Sequence, residues 1–575
     1  MQNRIFISLH EFMTKWQPKN NSDEATALEI RGKRVPRAIV QILQNRGYRT
    51  PQSIEKFFAP SLSDLNDPFL IHDMEKAVTR IIRAIEKNEK ILVHGDYDTD
   101  GITGTALLVR NLSTLGLRVQ HYIPHRLEEG YGLSSSGVNH AVEEKCTLII
   151  TVDCGSSALS EIAYANEHNI DVIVCDHHEP KKSLPDALAL LNPKLPSSNY
   201  PFKELAGVGV AFKLLTALHQ KLSKSPEELQ HDLDLVALGT VVDVVPLIDE
   251  NRILVKYGMK RILQSRKKGI QALLKETGIR KELTSYHLGF IIGPRINACG
   301  RLHDAKIALE LLLTDNISHA LKLAHSLSLD NEQRKKVQDQ TYADAVSIMK
   351  KTHREKDRII ILADEGWHEG VLGIVASRIA SEYFRPTIIL TFKENTAKGS
   401  ARSIPSFDIT AAIGAYSDLL VKYGGHAQAA GLELTRDNLE SFRNSINEHA
   451  RSFDSAVFEK QSYYDTKLGL DEITPDLVHF LKYFEPTGLA NPQPVFLGED
   501  LEVVGIPRVI GTNHLKIALR QGGKAFPAIA FERADEILGI EIGKTRVNCL
   551  YSLAEDSYLG KKKTSLKIKD LKKVT

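Results

Sequence analysis

Three clusters of carboxylates and imidazoles stand in the first half of the chain, each directly after a short apolar run. They read His94-Gly95-Asp96-Tyr97-Asp98-Thr99-Asp100-Gly101, Thr151-Val152-Asp153-Cys154-Gly155 and Cys175-Asp176-His177-His178. A fourth carboxylate, Asp243, closes the run Ala237-Leu238-Gly239-Thr240-Val241-Val242. Hard oxygens with a minority of imidazole suit Mn2+ or Mg2+ better than a soft-ligand metal. Two such ions close together can hold the attacking and leaving oxygens of a phosphoryl transfer, ideally across one bridging carboxylate. A tight turn after a strand would aim His94, Asp98 and Asp100 into one cavity, with Gly101 letting the backbone enter the next helix. Asp153, at the next strand end, is placed to bridge. His177 and His178 are adjacent and point differently, so one can ligate a metal while the other donates a proton or a hydrogen bond to phosphate.

Each cluster alone has a plainer reading. Asp-x-Asp-x-Asp-Gly also opens a calcium loop, but the twelfth position counted from Asp96 is Leu107, in an apolar helical run, where that loop requires Glu. A lone acidic turn is ordinary solvated surface. Four carboxylate-bearing sites that each follow an apolar run are much more specific.

The elements that must position these residues form an alternation beginning near Ile71. A helical segment, Met74–Lys87, leads to a strand at Ile91–Val93. A helical run at Thr103–Leu115 follows, and further strands are expected at Arg118–Ile123, Leu148–Val152, Asp171–Val174 and Ala187–Leu191. Short apolar runs separated by helical patterns indicate a parallel sheet covered on both faces. Such sheets bind ligands at the carboxyl ends of their strands, where the acidic clusters fall. From Asp315 to about Lys350 the chain lacks Gly and Pro and reads as one long helix that bridges two domains. A second α/β unit begins near Arg358, with strands at Arg358–Ala363 and Thr387–Thr391 and a loop at Gly424-Gly425-His426. Beyond Lys460, a turn-rich stretch from Glu485 to Pro494 precedes five short strand-like segments between Leu501 and Ile568, which suggest an OB-like β-barrel. Residues 1–50, with an extended start and a helix near Arg37–Asn45, carry no evident chemistry.

A chain of 575 residues needs several cores. Its net charge of +2 excludes a supercharged nucleic-acid wrapper but not a local phosphate-binding groove. Five scattered cysteines without a CxxC argue against a structural zinc or a disulfide framework, and Cys154 and Cys175 beside the acidic clusters read as small buried hydrophobes. No stretch approaches a membrane span or a signal peptide, so a cytoplasmic protein is expected. A further polar segment, Gly293-Pro294-Arg295-Ile296-Asn297-Ala298-Cys299-Gly300-Arg301, reads as a compact loop in which Arg295 and Arg301 can grip phosphates and Asn297 can orient them. The tail carries Lys561, Lys562, Lys563, Lys567, Lys569, Lys572 and Lys573 against Asp570, either as solvated surface or as a track for a single strand's backbone.

With these motifs in hand, the sequence resembles the DHH phosphoesterase superfamily, named for a triplet matched by Asp176-His177-His178, and within it the bacterial single-strand-specific 5′→3′ exonucleases. The resemblance covers nearly the whole chain. It implies an α/β fold in which residues 1–50 form an N-terminal segment and 51–314 a parallel-sheet DHH catalytic domain. Residues 315–352 would be a bridging helix, 353–458 a smaller DHHA1 substrate-binding domain and 459–575 an OB-like nucleic-acid-binding β-barrel. It further implies that Asp98, Asp100, Asp153, His177 and Asp243 hold two divalent ions, Mn2+ or Mg2+, with Asp153 bridging, and that His178 contacts the scissile phosphate. His94 matches a metal-binding histidine of another branch, and Asp96 would support the site from outside it. Arg126, in His125-Arg126-Leu127, would meet the 5′-terminal phosphate, and Tyr131 either stacks on a base or packs. Arg295, Asn297 and Arg301 match a signature beside the metals. Ser400 and Arg402 would bind substrate phosphate and His426 would close over the cleft, with Trp367-His368-Glu369-Gly370 near by. The activity implied is exonucleolytic release of 5′-mononucleotides from single-stranded DNA in recombination and repair, beside a single-strand-binding protein and a RecQ-type helicase. Two rival readings remain: a small-substrate phosphodiesterase, whose relatives look shorter and lack a trailing β-domain, and a DNA-holding module without catalysis, which the full set of carboxylates disfavours.

Overall fold

The computed structural model describes residues 14–19, 28–30, 32–126, 128–511, 513–558 and 561–574. The expected extended start at residues 1–13, Leu127 and the side chains of Lys561 and Lys562 lie outside the described residues. The chain divides into two compact units, Asp64–Glu459 and Met1–Ser63 with Lys460–Thr575.

In the first unit, β1 (Lys90–Gly95), β2 (Arg118–Tyr122), β3 (Leu148–Val152), β4 (Asp171–Cys175) and β5 (Ala189–Leu191) form a sheet of order β2-β1-β3-β4-β5. Every neighbouring pair is parallel. Both faces of β1 and β3 are buried, which is why their sequences run apolar without alternation. The register aligns the strand ends: Gly95 lies opposite Val152, and Val152 opposite Cys175. The ladder then extends one residue further, with Asp96 N–H donating to Val152 O at 3.3 Å and Asp153 N–H to Cys175 O at 2.9 Å. The three acidic clusters therefore leave the sheet side by side, at the point where the strand order reverses and open sheets bind ligands.

Helices α1 (Thr99–Thr114), α2 (Gly207–Lys221), α3 (Leu233–Val242) and α4 (Gly293–Leu302) surround this edge. Asp243 caps the C-terminal end of α3, so its apolar run is a helix and not the strand that short runs suggest. The segment expected as a loop around Arg295–Arg301 is α4, preceded by a π-helical turn at His287–Ile292. The long helix α5 (Ile317–Lys351) starts at Asn316, whose side chain accepts from Ser318 N–H at 2.9 Å and His319 N–H at 3.1 Å.

After α5 come β6 (Ile360–Asp364), α6 (Glu369–Tyr383), β7 (Thr387–Lys393), β8 (Thr396–Arg402), β9 (Lys422–His426) and β10 (Ala429–Thr435), with strand order β9-β10-β8-β7-β6. Gly424-Gly425-His426, expected as a loop, is the edge strand β9. At Gly425 a Cβ would lie 2.3 Å from Ala429 O, so a close strand pairing, not a turn, explains the glycine.

In the second unit, β11 (Phe496–Ile510), β12 (His514–Gln521), β13 (Lys524–Ala530), β14 (Arg546–Tyr558) and β15 (Lys561–Lys573) close into a five-stranded barrel in the order β11-β12-β13-β15-β14, with β14 returning to β11. The N-terminal segment completes this unit. Lys15–Pro18 pairs in parallel with Gln461–Tyr464. Phe57 and Phe58, on the helix Pro51–Phe58, pack edge-on against Phe484 at 5.2 Å and Phe480 at 5.6 Å. The break between units therefore falls at Ser63, and residues 51–63 join the barrel core instead of the catalytic sheet. Among the described residues no helix is long and apolar enough to cross a membrane.

Candidate active site

The turn after β1 holds its shape through its own acids. Asp98 Oδ1 accepts from the N–H groups of Asp100 at 2.8 Å and Gly101 at 3.2 Å, which caps α1. Asp100 is in turn gripped by the start of α2, accepting from Gly207 N–H at 2.6 Å and Val208 N–H at 2.8 Å. His177 brings the parts together: its Nε2 lies 3.0 Å from Asp153 Oδ1, 3.5 Å from Asp243 Oδ2 and 3.8 Å from Asp100 Oδ2. Three groups of potential ligand atoms result: Asp100-His177-Asp243, Asp153-His177-His178 and Asp96-Asp98-Asp153. Asp153 belongs to two of them.

These residues fit divalent cations. Burial and the neighbouring Asp98 push Asp100 up to about 7, and burial with the charge of Asp100 and Asp98 drives Asp153 and Asp243 well above the ordinary carboxylate range. Asp243 Oδ2 and Asp96 Oδ1 are buried without a hydrogen-bond partner among the described residues. Mutually repelling carboxylates with unmet lone pairs are stabilised by a cation. Burial, then the charge of His178, lowers His177 to about 3, which leaves the neutral imidazole that metals require.

His178 differs from its neighbour. Its Nδ1 is 2.8 Å from Asp176 Oδ1. Burial opposes its charged form, but the bond to Asp176 and that carboxylate's charge raise its pKa above the ordinary histidine value. Asp176 also accepts from Ser156 N–H at 2.9 Å and His177 N–H at 2.8 Å. Although burial opposes ionisation, these bonds and the two imidazoles hold Asp176 below the ordinary carboxylate range. Tyr131 hydroxyl donates to Asp153 O at 3.1 Å and lies 2.9 Å from His178 Nδ1, while its ring remains half exposed. Asp153 itself sits in left-handed backbone at φ 60°, a strained setting that functional side chains often occupy.

His94 does not join these groups. It is buried on the ring of Tyr122, with Nδ1 4.0 Å from Cys154 Sγ, and burial lowers it to about 4. Its Nε2 occupies the space beside Gly137, where a Cβ would come within 2.6 Å. Two glycines act by their missing side chains. A Cβ on Gly207 would meet Asp153 Cβ at 2.7 Å, and one on Gly239 would meet Asp100 Oδ1 at 2.9 Å. Only the Gly-Val-Gly opening of α2, small residues at a helix start, hints at this in the sequence.

A second group is cationic. Burial, then the charges of Arg126, Arg334 and Arg402, lowers Arg301 to about 9. None of these four makes an ion pair with a carboxylate among the described residues. Arg301 Nη1 donates to Gly370 O at 3.1 Å, which ties α4 to the start of α6. Arg402 Nη1 donates to Ser400 Oγ at 2.8 Å, and Arg126 lies over the ring of Tyr97 at 4.7 Å. Arg334 Nη2 donates to Asn331 Oδ1 at 2.8 Å and its Nη1 to Gln338 Oε1 at 3.0 Å. Guanidinium groups held together without a carboxylate partner favour an anion such as phosphate. Arg334, on α5, is a member that sequence reading passed over within a long polar helix. Arg295 is spent elsewhere: it donates to Ser328 Oγ at 3.0 Å and Ile291 O at 2.5 Å. Asn297 Oδ1 accepts from Thr99 N–H at 2.8 Å and Thr99 Oγ1 at 2.7 Å, and so fastens the acidic turn. His426 is exposed at the end of β9, opposite Ala429, and its carbonyl accepts from Thr410 Oγ1 at 2.6 Å.

Comparison with known proteins gives three family matches: the DHH family N-terminal domain over residues 90–240, the DHHA1 domain over 356–452 and the RecJ OB domain over 464–570. The single-stranded-DNA-specific exonuclease RecJ of Bacillus subtilis is 36% identical over 92% of this chain and 67% of its own. Its counterpart in Dickeya dadantii is 36% identical over 93% of this chain and 96% of its own. Crystal structures of Thermus thermophilus RecJ with Mn2+ and with Mg2+ align at TM-scores of 0.81 and 0.75, with 32% and 30% identity. Each covers 94% of this chain, matching 76% and 75% of the Thermus chain.

Proposed function

This chain belongs to the RecJ family of single-stranded-DNA-specific exonucleases, and from that premise we propose that it hydrolyses single-stranded DNA from the 5′ end, releasing 5′-mononucleotides through a two-metal site. The observation that carries this reading is the convergence on His177 of Asp100, Asp153 and Asp243 beside four arginines that make no ion pair among the described residues. Asp98, Asp100, Asp153, His177 and Asp243 would hold two Mn2+ or Mg2+ ions, with Asp153 between them. Once bound, such ions supply Lewis acidity toward the phosphate and lower the pKa of water.

The chain's own residues do the rest. Asp176 fixes His178 by its Nδ1, which leaves the other ring nitrogen to hold a proton for the scissile phosphate. Arg126, Arg301, Arg334 and Arg402, with Ser400, receive the terminal phosphate, which sets the polarity of digestion. Arg295 and Asn297 keep α4 and the acidic turn in place. The closed barrel adds a nucleic-acid-binding surface. The cellular setting is recombination and DNA repair in the cytoplasm, alongside a single-strand-binding protein and a RecQ-type helicase. The test is digestion of 5′-labelled single-stranded DNA with Mn2+ or Mg2+, with Asp153→Ala as the inactive control that still binds DNA. A folded, metal-binding wild-type protein that leaves the strand intact would refute the proposal.

A further inference from the structure

The π-helical turn His287–Ile292 and the residue before it carry two large aromatic side chains left in solvent. Tyr286 and Phe290 are 61% and 72% exposed, and their rings stack with centroids 5.1 Å apart and planes 24° from parallel. Aromatic side chains normally gain stability by burial, and this pair forgoes it. The turn beneath them is fixed on two sides. A Cβ on Gly293 would come within 2.4 Å of Val242, the residue before Asp243, and Gly289 faces Val241. Arg295 holds Ile291 O and reaches across to Ser328 on α5. Helical turns of this kind occur frequently at functional sites. The exposed pair is thus anchored against the helix that delivers Asp243. Val244, one residue past that carboxylate, is itself exposed in left-handed backbone at φ 64°.

We propose that Tyr286 and Phe290 form a stacking platform for unpaired nucleobases of the bound strand, separate from the arginines that take its terminal phosphate. The inference rests on the nuclease reading above and names a second substrate contact for it. Every base has a π-face, so two rings already parallel to each other accept any sequence. Bases stacked inside a duplex offer no free face, so the platform favours single strands. It carries no charge, so its share of binding survives salt that weakens phosphate contacts.

The experiment compares the full-length protein with the Tyr286→Ala/Phe290→Ala double variant on the dinucleotide pTpT and on a thymidine oligonucleotide of about 20 residues. The KM of the double variant for the oligonucleotide should rise by roughly 5- to 150-fold with kcat unchanged, while pTpT turnover stays equal to wild type. Abasic residues in the oligonucleotide should erase the difference between the two proteins. Tyr286→Phe and Phe290→Trp should keep wild-type KM. Unchanged KM in the double variant would overturn the proposal. So would equal losses on pTpT or on the abasic strand, which would mark the pair as structural. Concentration-dependent self-association of the wild type that is lost in the variant, with DNA affinity intact, would show instead that a second copy covers the rings. A wild type inert on all single strands would sink the nuclease reading itself.

Discussion

Gly207→Ala tests how the site is held together. Gly207 N–H donates to Asp100 Oδ2 at 2.6 Å, and an added Cβ would stand 2.7 Å from Asp153 Cβ and 2.9 Å from Asp153 Cα. Relief requires a shift of roughly 0.7 Å to reach ordinary contact. Asp153 has little room to yield, because its N–H is bonded to Cys175 O in left-handed backbone. The start of α2 must move instead and carry its two N–H donors away from Asp100. Losing hydrogen bonds to a charged group costs about 1.5–3 kcal/mol, and misplacing catalytic groups by about 1 Å costs about 100-fold. We expect kcat/KM on a 5′-phosphorylated single-stranded oligonucleotide to fall by about 100-fold, with weaker Mn2+ binding in calorimetry and a cooperative melt retained. Gly209→Ala is the control, since its Cβ would meet Leu205 Cδ2 at an ordinary 3.4 Å. Activity of Gly207→Ala within about threefold of wild type, at unchanged Mn2+ affinity, would refute the reasoning.

Three further outcomes are expected. Asp100, Asp153 and Asp243 have folded pKa values above their unfolded ones, so the stability they contribute is lost as pH rises through the folded values. Above about pH 7 the buried His94 and His177, which act in the opposite sense, no longer change protonation. The melting temperature of the metal-free protein should therefore fall from about pH 7 to 8.5, Mg2+ should raise it most at the upper end, and Asp153→Asn should flatten the slope; a steeper slope in that variant would contradict this. Asp176→Asn should lower kcat by roughly 100-fold and bring the alkaline loss of activity to lower pH, because His178 loses the carboxylate that raises its pKa; an unshifted pH–rate profile would exclude His178 as the proton donor. Arg334→Ala should reduce the preference for a 5′-phosphate over a 5′-hydroxyl end by about 10-fold, measured as a ratio of KM values, and an unchanged ratio would remove Arg334 from the terminal site.

The acidic clusters were legible because strand ends advertise themselves: Ile91–Val93 runs apolar into His94-Gly95-Asp96, and the mostly apolar Leu148–Val152 runs into Asp153. Asp243 follows a similar run, but a short run cannot tell a buried strand from a buried helix, and here it is α3. The roles of Gly207 and Gly239 were hidden because each acts through an absent atom on a residue distant in sequence. Arg334 was hidden by the charged sequence of α5, where nothing marks one buried guanidinium among its exposed neighbours. The pairing of Lys15–Pro18 with Gln461–Tyr464 lies across most of the chain, beyond the reach of local patterning.

The unit that holds the barrel is written in two instalments. Ile39, Ile42, Phe57 and Phe58 belong to the same core as Phe484, Phe496 and Tyr551, yet roughly 400 residues separate the two parts. At about 5–20 residues per second, a ribosome needs about 20–80 s to cross that gap. Throughout that interval the early apolar side chains are in the cell without the strands that will shelter them. Nascent chains should thus depend on a holding chaperone at their leading end, and slowing translation within the intervening stretch should lower the soluble yield.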